Sequence, residues 1–240
     1  MKTVGIISGT VLLRGNGIFS NLREETVETE FGRATVLRSA NVVFVARHGN
    51  DPAFHILPHL INHPANLAAL KKTGADEVIG INSAGALNRR TRPGTLVVPD
   101  DYIQLGGGIT TVRGRPVHVT PCLNREVRQK LLIAAQKCGL KPVDGGIYWQ
   151  SPGPRLETQA EIKMISQFAD IIGMTMASEA IVAQELDIRY ASLCSIDNYA
   201  HGIEDETLTL QKILRRARLN AKAIQRILTR YLEQDSKQND

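Results

Sequence analysis

Four apolar runs in this chain each break into small and polar residues. Val4 to Ile7 meets Ser8-Gly9-Thr10, and Ile81 meets Asn82-Ser83-Ala84-Gly85. Ile172 meets Gly173-Met174-Thr175, and Cys194 meets Ser195-Ile196-Asp197-Asn198. β-rich runs recur at 4–7, 42–45, 77–81, 95–98, 147–149, 170–172 and 189–194. Helical patterns lie between several of them. One covers 66–73 and stops at Gly74, a C-cap signal. Another covers 124–138, opening on Asn124 and stopping at Gly139. A third covers 158–168 and opens with Thr158 and Glu161 at capping-box spacing. The last covers 208–232, where Leu210, Ile213, Leu214, Ala217, Ala221, Ile224 and Leu228 keep the 3.6 period. Strands alternating with helices predict a single α/β domain, a mixed and largely parallel sheet flanked by helices. The domain is expected over 1–233 and a polar, frayed tail over 234–240. In such sheets ligands sit at strand ends, so four breaks of the same character predict one shared cleft.

The formal net charge of +5 raises nucleic-acid binding as a function. The basic residues are dispersed, however. Their densest groups are Arg89, Arg90 and Arg92, then Arg215, Arg216 and Arg218, and no aromatics are interleaved with them as a stacking platform requires. The expectation is no nucleic-acid partner and a modest positive field that suits a small anionic substrate. Cys122, Cys138 and Cys194 form no Cys-x-x-Cys pair, so neither a disulfide framework nor a zinc site is expected, and the thiols fit a reducing cytoplasm. No run approaches the roughly 20 apolar residues of a membrane span. The N-terminal run is too short for a signal peptide.

The strand ends carry the candidate chemistry. Ser8-Gly9-Thr10 offers backbone N–H groups and two hydroxyls, which fits either a tight turn or an anion nest. It is neither a Walker loop nor a dinucleotide fingerprint. Arg47-His48-Gly49 follows the run at 42–45. Its guanidinium can fork a phosphate and its imidazole can bind an oxyanion or hold a proton, or the two are an exposed basic pair. Around Ser83 the chain is small enough to admit a ligand against bare backbone, or simply turns. Thr175 adds a hydroxyl. Met174 either packs on a sugar face or fills core. Glu157 and Asn198 together suit a ring that presents N–H, C=O and N side by side, as a 6-oxopurine does; a helix-cap neighbourhood and a turn are the plain alternatives.

In order, the chain reads Gly-Ile-Ile-Ser-Gly-Thr, Arg-His-Gly, Asn-x-x-Ala-Asn at 62–66, Asn-Ser-Ala-Gly, Pro-Gly-Thr-Leu-Val-Val-Pro-Asp, Gly-Pro-Arg-Leu-Glu-Thr and Gly-Met-Thr. That series resembles the trimeric purine nucleoside phosphorylase and methylthioadenosine phosphorylase family from Val4 to about Leu228. The resemblance implies a homotrimer that needs no metal or organic cofactor. Orthophosphate is the co-substrate and attacks C1′ of a purine nucleoside. It implies Ser8, Thr10, Arg47, His48, Ser83 and Thr175 as phosphate ligands, Met174 against the ribose, and Asn198 and His48 in catalytic roles. Adenine-type members carry Asp-x-Asp where this chain has Asn198-Tyr199-Ala200. With Glu157, this implies a 6-oxopurine base. On the last helix, Leu210 falls where a histidine would read a 5′-hydroxyl, which implies an aliphatic pocket for a 5′-methylthio group. The function implied is phosphorolysis of S-methyl-5′-thioinosine to hypoxanthine and 5-methylthioribose 1-phosphate. The alternatives are a general inosine and guanosine phosphorylase, a methylthioadenosine phosphorylase, and a non-catalytic nucleoside binder.

The chain also departs from the family. The segment from Asn50 to Phe54 lengthens the spacing to the next histidine, leaving His55 or His59 for the ribose side. Leu156 stands where the family stacks an aromatic on the base. A proline is missing from the Met176-Ala177-Ser178 stretch. The neighbouring subunit is expected to contribute through residues 112–119.

Overall fold

Strand β5, Ala75–Ala86, is the hub of the architecture. The computed structural model describes residues 3–9, 18–19, 21–51, 54–106, 108–114, 116–204 and 209–236, with the side chains of 210, 212, 214, 235 and 236 outside the description. In chain order the other strands are β1 Thr3–Ser8, β2 Arg23–Thr29, β3 Gly32–Arg38, β4 Val42–Ala46, β6 Leu96–Val98, β7 Asp101–Ile103, β8 Val143–Asp144, β9 Ile147–Gln150, β10 Ile171–Gly173 and β11 Arg189–Tyr199. The helices are α1 His63–Lys72, α2 Arg125–Lys137, α3 Gln159–Ile165, α4 Met176–Glu185 and α5 Leu210–Ser236. Helix α5 therefore runs through the first three residues of the expected tail.

The strands make one sheet in the order β2-β3-β4-β1-β5-β10-β9-β7, from which β11 branches at β5 and carries β6 and then β8. β1 runs parallel to β4 and β5, and β5 runs parallel to β11. Both faces are covered, which is why β1 and β4 are almost wholly apolar. On one face Leu67 and Leu70 of α1 and Met176 and Ala180 of α4 pack with Val78, Tyr190 and Cys194. On the other, Val127 and Leu131 of α2 and Ile224 and Leu228 of α5 pack with Ile6, Ile79 and Leu193. Helix α3 closes a smaller cluster around Trp149 and Ile172.

The local signals explain the helix ends. Asn124 caps α2, accepting from the Val127 N–H at 3.1 Å. Thr158 and Glu161 form the reciprocal capping box of α3. Helix α1 starts three residues earlier than the periodicity predicts, because Asn62 accepts from the Ala65 N–H at 3.0 Å and a proline follows in its first turn.

Candidate active site

Two strands leave one edge of β5 at different points. β1 stops at Ser8, opposite Ile81, while β10 joins β5 only at Gly85. Residues 82–84 lie between, on an edge that neither strand covers. Residues from β1, β4, β10 and β11 converge on that gap.

Ser8 is buried, and its carbonyl accepts the Arg47 backbone N–H at 2.9 Å. Arg47 is also buried, and four of its five side-chain N–H groups have partners among the described residues. Nη2 donates to the Ile7 carbonyl at 2.9 Å and Nη1 to the Ile81 carbonyl at 2.8 Å. Nε donates to Glu179 at 2.6 Å, and Nη2 reaches the second Glu179 oxygen at 3.4 Å. The guanidinium thus pins the end of β1 and the middle of β5 to helix α4, and its second Nη1 N–H has no partner among the described residues. Glu179 is fully buried, and burial pushes its pKa up. Arg47, Tyr190 and Asn82 all donate to it and pull that pKa back down.

His48 follows on the same turn. Its Nδ1 lies 2.7 Å from the Ile56 carbonyl, a pure acceptor, so Nδ1 carries the proton and Nε2 presents a lone pair. Burial, then the Arg47 cation, then His55, hold its pKa down at about 4, although the Ile56 contact opposes them. At neutral pH it is an uncharged acceptor. His55 stacks on it, with ring centroids 4.5 Å apart and planes at 15°. Of the two candidate ribose-side histidines, His55 is the one stacked on His48, while His59 lies in the short 3₁₀ turn Pro58–Leu60, whose Pro58 lies near Gly153.

Thr175 is buried at the N-cap of α4 without capping it. Its Oγ1 accepts from Asn82 Nδ2 at 2.9 Å, which turns the Thr175 hydroxyl proton elsewhere. The first N–H groups of α4 are already used. Those of Thr175 and Met176 point to the Tyr148 hydroxyl, and those of Ala177 and Ser178 to Gln150 Oε1 at 2.7 and 3.1 Å. Any anion here meets the Thr175 hydroxyl rather than the bare helix end. Gly173 is obligatory in this corner, since a Cβ would overlap the Tyr148 hydroxyl.

On the far side of the gap, Asn198 of β11 lies opposite Gly85, with Nδ2 donating to the Tyr199 carbonyl at 2.8 Å. A Cβ on Gly85 would come within 2.9 Å of that amide. Glu157 is half-buried and accepts from the Ser151 hydroxyl. Its backbone carbonyl lies 3.0 Å from His201 Nδ1, tying this loop to the end of β11. Met174 packs its sulfur against Gly153. Leu156 is exposed.

Ser8, Arg47, His48, Ser83 and Thr175 thus lie around one strand gap, with Met174 following β10 and Asn198 across β5, and Glu157 tied by its backbone to the end of β11; for Leu156 the structure gives exposure alone. Thr10 lies outside the described residues, as does the side chain of Leu210. Residues 112–114 and 116–119 carry neither helix nor strand. Asn82, Tyr148, Gln150 and Glu179 were not legible as site residues. Asn82 stands in a strand-end break, but nothing in the sequence pairs it or the other three with a partner, and only the tertiary contacts reveal their task.

A family model described as "Phosphorylase superfamily" matches residues 3–233. A probable 6-oxopurine nucleoside phosphorylase of Archaeoglobus fulgidus is 40% identical over 230 residues, covering 94% of this chain and 93% of that protein. A probable S-methyl-5′-thioinosine phosphorylase of Methanocaldococcus jannaschii is 36% identical over 218 residues, covering 88% and 84%. In fold, the chain is similar to a methylthioadenosine phosphorylase from an antarctic soil metagenomic library, at a TM-score of 0.86 and 24% identity, covering 100% and 88%.

Proposed function

The chain belongs to the phosphorylase superfamily, and from that premise we propose that it is a purine nucleoside phosphorylase acting on a 6-oxopurine nucleoside, S-methyl-5′-thioinosine. The observation that carries the base assignment is the pairing at the rim. An amide, Asn198, stands over Gly85; Glu157, whose carboxylate accepts from Ser151, is tied through its backbone carbonyl to the same strand end; and Ala200 supplies no acid. An amide and a carboxylate match the N7, O6 and N1–H edge of hypoxanthine. The 6-amino group of adenine would meet no carboxylate from Ala200, and a buried mismatch of that kind costs about 1–3 kcal/mol.

The chemistry follows from the gap. The hydroxyls of Ser8, Ser83 and Thr175, the remaining Arg47 N–H and the Nε2 lone pair of His48 surround orthophosphate. Neutral His48 accepts the P–O–H proton of monohydrogen phosphate and so orients the anionic oxygens toward the sugar. Held against C1′, the phosphate stabilises the cationic sugar of the transition state and then attacks it. Met174 and His55 flank the ribose, and Asn198 holds the departing base. Orthophosphate is the co-substrate, no cofactor is required, and the working unit is a homotrimer in the cytoplasm without a nucleic-acid or membrane partner.

A second reading, a general inosine and guanosine phosphorylase, is favoured by the 40% identity to the Archaeoglobus protein named for 6-oxopurine nucleosides. Phosphate-dependent base release from methylthioinosine, methylthioadenosine, inosine and adenosine in parallel decides. The proposal requires methylthioinosine to be fastest. Inosine fastest keeps the base reading and removes the methylthio pocket. An adenine nucleoside fastest overturns the base reading, and no turnover leaves a nucleoside binder.

A further inference from the structure

Asn198 can hydrogen-bond a departing purine but cannot give it a proton. The residue before it can. In the pairing of β11 with β5, Ser195 lies opposite Ser83, Ile196 opposite Ala84 and Asn198 opposite Gly85, so Asp197 is the extra residue of a β-bulge. Directly opposed residues share a face of a sheet, and Ser83 and Gly85, two apart, share theirs. The bulge therefore puts Asn198 on the face of Ser83. Asp197 is on that face too, with the hydroxyls of Ser195 and Ser83 as its neighbours. Without the bulge, Asp197 and Asn198 would point to opposite sides.

The carboxyl group is locked in place. Asn220 of α5 donates to the Ser195 hydroxyl at 2.7 Å, and that hydroxyl donates to Asp197 Oδ1 at 2.5 Å. Asp197 is 2% exposed, and its Oδ2 is buried without a hydrogen-bond partner among the described residues. An orphan carboxyl oxygen in such a place is costly unless it holds a proton or meets a ligand.

We propose that Asp197 is the acid of the reaction, and that its Oδ2–H delivers the proton that the departing purine takes up. The assignment rests on the phosphorylase reading. As the C1′–N9 bond breaks, its electron pair leaves with the base, the Oδ2–H bond breaks, and the proton goes to a ring nitrogen. Monohydrogen phosphate forms the new C1′–O bond, and its own proton restores Asp197. Nucleoside and monohydrogen phosphate thus become neutral purine and the sugar 1-phosphate dianion. Burial raises the Asp197 pKa to about 6, against the two hydroxyls that lower it. Among the described residues the groups facing it are uncharged: Ser83 on β5, Asn220 on α5, Ser195 on its own strand, and the Cys194 thiol, itself pushed up to about 12 by burial. Ser195 and Asn220 are positioning residues.

The test compares S-methyl-5′-thioinosine with its N7-methylated counterpart, whose base departs without needing a proton. The expected result for Asp197→Asn is a loss of about 100-fold in kcat/KM on the first, a typical general-acid effect, with the second reduced less than about 3-fold. Equal losses on both, or none, overturn the proposal. The wild-type enzyme gives an independent reading. The ratio of the two kcat/KM values, in which titration of phosphate cancels, falls about tenfold per pH unit above the Asp197 pKa; a flat ratio from pH 5 to 8 also overturns it. A wild type that turns over neither compound removes the phosphorylase reading itself, and this assignment with it.

Discussion

Arg47 and Glu179 are 132 residues apart in the chain and 2.6 Å apart in the fold, both buried. Removing one member of such a pair strands the other's charge, which costs about 3–5 kcal/mol. Glu179→Gln is therefore expected to lower the urea midpoint by that equivalent and, by releasing Arg47, to raise the KM for phosphate more than that for nucleoside. A midpoint within experimental error of the wild type would remove Arg47–Glu179 as the anchor of the gap. At the base, Asn198→Asp combined with Ala200→Asp is expected to move preference toward the adenine nucleoside, read as the ratio of kcat/KM values for methylthioadenosine and methylthioinosine. An unchanged ratio would mean the rim does not read the base. Arg47 and His48 were legible in the sequence because Gly49 follows them at a strand end, and Asn198 because an apolar run breaks into polar residues there; at strand ends side chains have ligands to meet. Glu179 was not, because a buried carboxylate looks like any helix glutamate until its partner is found.

Among elements, α4 shows most plainly how the site is built. Its N-cap residue, Thr175, turns its side chain to Asn82, and the capping is done from the sheet by Tyr148 and Gln150, two apart on β9. Gln150→Ala would orphan the Ala177 and Ser178 N–H groups, a loss of about 1–2 kcal/mol. It is also expected to raise the KM for phosphate several-fold as Thr175 loosens; unchanged hydrogen exchange at those two amides would argue against the cap. Helix α4 escapes a periodicity search because Met176 to Ala180, Val182 and Ala183 are all buried, so no polar stripe marks a solvent side. The hairpin β2–β3 escapes for the opposite reason. It lies at the sheet edge and buries little beyond Val27, Ala34 and Val36. The apolar runs that became β1, β4, β5 and β11 were legible because a parallel strand covered on both faces has to be apolar throughout.

For the whole molecule, the buried titrating groups set the pH range of stability. His63 is buried with Nδ1 unpartnered among the described residues, and burial, then the Arg47 and His48 charges, lower its pKa from 6.5 to about 3. His48 is lowered to about 4. A histidine whose pKa falls on folding binds more protons in the unfolded chain, so its contribution is present above pH 6.5 and is lost as pH falls toward the folded value. Asp197 has the opposite sign. Its pKa rises from 3.8 to about 6 on folding, so it favours the folded state below the lower value and loses that contribution as pH rises through the upper one. Two histidines against one aspartate predict a net loss of stability between pH 6.5 and 4. His63→Leu, which removes the larger histidine shift and its orphan nitrogen, is expected to flatten that decline by up to about 3 kcal/mol. Urea midpoints of both proteins across this range check it. Two curves that fall in parallel would mean that His63 is not neutral because it is buried, and that the acid limb of stability belongs to the carboxylates.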